Sequence, residues 1–216
     1  MAAQNFSLQV SPETGKVSAA LLDPGKPICI MTFAHGAGAG MQHSFMVALA
    51  EALAEKDIAT LRFNFPFVEK KTGRPDKPEV AHQTIEMAVQ HARKKYPSLP
   101  VLLSGKSFGG RMSSQWLATH PDDVTGIVFY GFPLHAIGKP SIDRAEHLKK
   151  VKQPMLFLQG TKDKLAEWPL ITEVCSSLKT ATLVELTGAD HSFKKGKENL
   201  IPRLASETRE WIDSIL

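Results

Sequence analysis

The chain opens on short apolar runs punctuated by glycine and proline. Residues 5–10 and 16–22 are separated by Ser-Pro-Glu-Thr-Gly, and Asp-Pro-Gly-Lys-Pro at 23–27 leads into a third run at 28–34. Such punctuation predicts antiparallel strands joined by tight connections. From there the pattern changes. Runs at 58–63, 101–104, 126–131, 154–159 and 182–186 are apolar at nearly every position, as strands are when helices cover both faces of their sheet. Segments of helical period stand between them. Phe45, Leu49, Ala52 and Leu53 recur within 43–56, and Val80, Thr84, Ala88, Ala92 and Tyr96 within 78–96, with Pro97 beyond the end. A shorter helix at 113–119 is stopped by His120-Pro121, and Leu200, Leu204, Trp211, Ile212 and Ile215 share one face of a closing helix. The sum predicts one α/β domain over residues 1–216. Its open, mostly parallel sheet has eight strands, the second antiparallel, and helices fill every gap from the third strand onward.

Composition narrows the function without naming it. The chain is 43% hydrophobic and 22% charged, which is neither disordered nor fibrous. Its net charge of +4 comes from lysines and arginines in short groups with acidic residues between them. No basic stripe results, so no nucleic-acid partner is expected. Cys29 lies in an apolar run and Cys175 in a helical pattern, and both read as buried thiols outside any disulfide or Cys-x-x-Cys metal pattern. Residues 1–10 lack the basic start and apolar stretch of a secretion signal, and no run approaches the roughly 20 residues of a membrane helix. The expectation is a soluble cytoplasmic protein with no membrane partner.

The sharpest local signal is Gly105-Lys106-Ser107-Phe108-Gly109-Gly110, between a strand and a helix. A serine that attacks must stand clear of the sheet edge on a strained strand-to-helix turn. Glycine is needed on both sides because a Cβ there would strike the neighbouring strand and helix. A phosphate-loop reading of Gly105-Lys106-Ser107 fails because its first glycine would fall on Pro100. The glycine-rich stretch at 35–40 is no dinucleotide fingerprint either, since the third glycine would be Met41 or His43. Its position suits a loop that lends the Ala37 N–H to an oxyanion hole, the second N–H coming from Phe108. His35 is expected to pin that loop. Asp163 closes the run at 154–159, where ligands gather in open α/β sheets, and Asp143 is the nearest, less suitable, carboxylate after the preceding strand. A plain turn role for Asp163 is the alternative. His191 follows the last strand and precedes the closing helix, and Asp190 beside it takes a loop role. Nucleophile, acid and base thus run Ser107, Asp163, His191, the chain order of a serine hydrolase of this architecture. Neither a metal nor a cofactor is required by this set.

These motifs, with Gly160-Thr161-Lys162-Asp163 and Gly188-Ala189-Asp190-His191, resemble the dienelactone-hydrolase-like branch of the α/β-hydrolases. The segment 131–140, with Arg144, His147 and Leu148, is similar to a small group containing a testis-expressed hydrolase-like protein and a subunit of the nonspecific-lethal chromatin complex. The resemblance implies the eight-stranded hydrolase fold and the three triad positions. Only residues 132–153 separate the sixth and seventh strands, which predicts a minimal lid and a lightly covered site. Phe132, Trp168 and Phe193 are candidates for its apolar wall, and Arg111 for an anionic substrate group or a structural ion pair. Two functions follow: hydrolysis of a carboxylic ester or related acyl compound, a small-molecule substrate that can be sizeable, or a non-catalytic interaction module on a hydrolase scaffold.

Overall fold

The computed structural model describes residues 2–121 and 124–216. The described strands are β1 (Gln4–Ser11), β2 (Gly15–Leu22), β3 (Cys29–Ala34), β4 (Ile58–Phe63), β5 (Val101–Lys106), β6 (Gly126–Tyr130), β7 (Met155–Gly160) and β8 (Ala181–Leu186). They form one sheet in the order β1-β2-β4-β3-β5-β6-β7-β8. The second strand is antiparallel to both its neighbours, and β4, β3 and β5 to β8 run parallel. This is the α/β-hydrolase fold.

The continuous apolar runs now have their cause. Successive side chains of a strand point to opposite faces. Ile127 and Phe129 of β6, and Met155 and Phe157 of β7, enter the core on one side, while Val128, Tyr130, Leu156 and Leu158 enter the core on the other. The first core is closed by α3 (Pro78–Lys95), α4 (Phe108–Leu117) and α5 (Trp168–Ser177), and the second by α1 (Ser44–Ala54) and α6 (Ile201–Ile215). Trp211, Ile212 and Leu204 of α6 are buried, each worth roughly 1.5–3 kcal/mol of apolar transfer. As an edge strand, β8 is the exception: Thr182 and Glu185 are exposed.

Two helical expectations shift. The helix after the elbow begins at Phe108 rather than near Ser113, because the strand-to-helix turn needs no linker. A single turn, α2 (Pro66–Glu69), also follows β4 unforeseen, being too short to carry a period. The segment between β6 and β7 holds one 3-10 helix, Asp143–Lys150, seated against α4. Strand register then builds the site. Ala34 pairs with Gly105, Gly105 with Phe129, Tyr130 with Leu158 and Gly160 with Leu186, so these strands end on one rim.

Candidate active site

Ser107 sits at the tip of β5 with φ 51° and ψ −116°, in the left-handed half of backbone space. An L-residue pays of order 1–3 kcal/mol for such a conformation. The flanking glycines make the turn possible. A Cβ on Gly105 would come within 2.3 Å of the Gly110 nitrogen, and one on Gly109 within 2.4 Å of the Ala34 carbonyl oxygen.

The Ser107 hydroxyl donates to His191 Nε2 across 2.8 Å, and His191 Nδ1 donates to Asp163 Oδ2 across 2.7 Å. A carboxylate only accepts, so it fixes the proton on Nδ1 and leaves Nε2 free to take one. The Asp163 carboxylate is fully buried and the imidazole is 23% exposed. Asp163 is held in turn by the Leu165 N–H at 2.8 Å and by Gln159 Nε2 at 2.6 Å. The loop after β8 reaches this position because Gly160 lets it approach: a Cβ there would be 2.3 Å from the Ala189 carbonyl oxygen. Asp190 takes its expected loop role, its Oδ1 accepting from the Ser192 and Lys194 amides.

The glycine-rich loop at 36–40 lies against the elbow, with Gly36 facing the Ser107 Cβ. His35 pins it. Its buried ring donates from Nδ1 to the Gly36 carbonyl at 2.8 Å and accepts the Phe65 N–H on Nε2 at 3.0 Å. Burial pulls this imidazole down to about 4, so the ring is neutral, as that bonding requires. The N–H groups of Ala37 and Phe108 donate to no acceptor among the described residues. Phe108 is the first residue of α4, where a free N–H is inherent in the helix end.

A cavity of about 410 Å³ opens over Ser107 and His191, walled by Ala37, Phe45, Met46, Lys106 and Leu165. None of its lining comes from residues 132–153. A second trough of about 630 Å³ shares His43, Phe45 and Ser192 with it and is lined further by Ala48, Phe193, Leu200 and Ile201.

The expected substrate contacts fare differently. Phe132 is fully buried against Phe129 and Phe157 and is core, not wall. Trp168 borders a separate hollow with Ile137, Asp163 and Lys164, which neither Ser107 nor His191 lines. Phe193 lines the second trough, stacked on Phe45 at 5.6 Å. Arg111 lines no described cavity and forms no ion pair among the described residues; burial and neighbouring Arg144 lower its basicity. A helix position next to an elbow fixes sequence distance, not the direction of a side chain. Gln159 is silent in the sequence for a similar reason: it ends an apolar run, as any strand terminus does. Its Oε1 accepts the Phe132 N–H at 2.8 Å while its Nε2 holds Asp163. A lone buried amide at the end of such a strand is the signal that could have found it.

Cys29 and Cys175 are buried and unpaired, and burial pushes both thiols up to about 12. Among the described residues no group of three His, Cys, Asp or Glu side chains could hold a metal ion, and no helix is long and apolar enough to cross a membrane.

Residues 28–212 match the model of a family described as an alpha/beta hydrolase domain, and the chain belongs to that family. Solved structures agree on the fold. A dienelactone hydrolase from Anabaena variabilis superposes with a TM-score of 0.80 at 22% identity, covering 100% of both chains. A lidless α/β serine hydrolase from Xanthomonas campestris gives 0.77 at 21% identity, covering 98% of this chain and 95% of that one. Est1E from Butyrivibrio proteoclasticus gives 0.76 at 16% identity, covering 97% and 98%.

Proposed function

We propose that the protein is a serine hydrolase that cleaves a carboxylic ester or a closely related acyl compound through an acyl-enzyme on Ser107. The observation that carries this reading is the unbroken chain from Ser107 through His191 to Asp163, at 2.8 and 2.7 Å, at the floor of an open cavity.

In the first half-reaction Ser107 Oγ bonds to the acyl carbon as its proton passes to His191 Nε2. Asp163 stays ionised and stabilises the imidazolium. The carbonyl oxygen becomes an oxyanion facing the Ala37 and Phe108 amides, each such donor worth about 3–4 kcal/mol in the transition state. As the tetrahedral centre collapses, the carbon–oxygen bond to the leaving alcohol breaks and Nε2 returns the proton to it. Water repeats the sequence, and the acid leaves with Ser107 restored. The second trough, which shares His43, Phe45 and Ser192 with the first, offers a place for the far end of an elongated substrate. The two together suit a sizeable acyl compound better than acetate.

The test is a fluorophosphonate probe followed by a panel of ester, thioester and amide substrates. We expect one adduct per chain, absent in Ser107→Ala, and ester turnover lost with it. A folded wild type that takes no label supports the non-catalytic interaction module instead.

A further inference from the structure

Acyl transfer places no demand on the residue between Gly105 and the nucleophile, yet Lys106 there is tied closely to the histidine. Its Nζ donates to the His191 carbonyl oxygen at 2.6 Å and lies 5.2 Å from the centre of the Phe193 ring. Among the described residues this is the one hydrogen bond to the His191 main chain: the carbonyl has no other donor and the N–H no acceptor. The side chains around it hold the neighbours. Asp190 fastens Ser192 and Lys194, and Phe193 is kept at φ 60° against Phe45. Room for the ammonium is made by Gly131, at φ +73°, whose Cβ would sit 3.1 Å from Lys106 Nζ and 3.5 Å from His191 Nδ1. No carboxylate is in ion-pair contact with it among the described residues, so its charge is spent on a peptide oxygen and an aromatic face.

We propose that Lys106 is a positioning residue of the hydrolase reading above: its ammonium fixes the His191 main chain and thereby holds the imidazole between Ser107 and Asp163. A hydrogen bond from a charged donor is roughly twice as strong as one from a neutral donor. Turnover therefore depends on Lys106 keeping its proton. Burial pulls that group down to about 8, against the opposing pull of Asp163 from the loop after β7 and Asp190 from the loop after β8. The other titratable groups facing this corner are His191 itself, His43 across the cavity and Tyr130 on β6. Tyr130 is pushed up by burial and bonded to Thr208, so it stays neutral.

The experiment compares wild type, Lys106→Met and Lys106→Arg between pH 6 and 10. It follows kcat and KM for a p-nitrophenyl ester and the rate of fluorophosphonate labelling at Ser107. Wild-type kcat should fall above about pH 8. Lys106→Met should lower kcat roughly tenfold or more at pH 7, leave KM within about twofold and lose the alkaline fall, as expected when a charge-assisted contact is removed. Lys106→Arg keeps a cation at every pH used and should carry activity past pH 9; it decides the question if the Met variant does not fold. Wild type that turns over and labels at Ser107, with the alkaline fall unmoved in Lys106→Arg or kcat unchanged in Lys106→Met, overturns the role of Lys106 alone. Wild type that neither turns over nor labels overturns the hydrolase reading, and this proposal with it.

Discussion

Gln159 shows how much of the site depends on one side chain that touches no substrate. Its amide joins the Phe132 N–H, at the start of the loop after β6, to the Asp163 carboxylate in the loop after β7. Gln159→Leu matches its bulk but orphans the buried Phe132 N–H and strips Asp163 Oδ2 of one of its two donors. We expect a loss of about 1–3 kcal/mol of stability, read by urea denaturation. The Ser107 hydroxyl should remain able to take a fluorophosphonate, more slowly than in wild type. Unchanged stability and labelling would mean that water replaces the amide at no cost. Ser107, Asp163 and His191, by contrast, were all legible in the sequence. Each stands just past a recognisable strand, and residue type together with strand end is enough to place a side chain on the rim.

At the scale of elements, the apolar runs located the sheet closely: 58–63 is β4 to the residue, and the other strands differ by one or two positions at one or both ends. Helix faces were read less well. In α3 the residues spaced four apart from Val80 drift around the helix, because four residues turn 400° rather than 360°. The buried face is Ala81, Thr84, Ile85, Ala88, Val89 and Ala92, so the expected Thr84, Ala88 and Ala92 lie on it, while Val80 and Tyr96 at the two ends are half-buried. In α1 the expected Phe45 lies at the edge of the core and borders the cavity, while Met46 takes the buried place. Aromatic side chains near the site were the least legible, since a phenylalanine packs equally well in a core or a wall. Phe132 is wholly core, whereas Phe193 is buried in the second core and also borders the outer trough. Each lies in a loop beside a residue of positive φ, Gly131 at +73° and Phe193 itself at 60°, and periodicity carries no record of a loop's path.

For the molecule as a whole, a neutral buried histidine couples the glycine-rich loop to acid stability. The unfolded chain takes a proton on His35 near pH 6.5, whereas the folded chain resists until about pH 4. The unfolded state therefore binds more protons between those values, so stability is complete above pH 6.5 and drains away as the pH falls to 4. The interval corresponds to roughly 3 kcal/mol. His147, pulled down to about 4 by burial and by Arg111, acts in the same direction with less weight because it is partly exposed. Urea midpoints at pH 7 and pH 4.5 should show this loss, and His35→Asn should flatten it; an equal slope in both proteins would contradict the assignment. The most direct test of the central claim lies at the rim of the sheet, where three loops bring Ser107, His191 and Asp163 into one hydrogen-bonded line. The rate at which a fluorophosphonate adds to the intact protein, followed by mass, should fall about 10²- to 10⁴-fold in His191→Ala, the contribution expected of a positioned general base. The wild-type adduct should lie on Ser107 alone. A His191→Ala protein that is phosphonylated as fast as wild type, or a wild-type adduct on any other residue, would contradict the account.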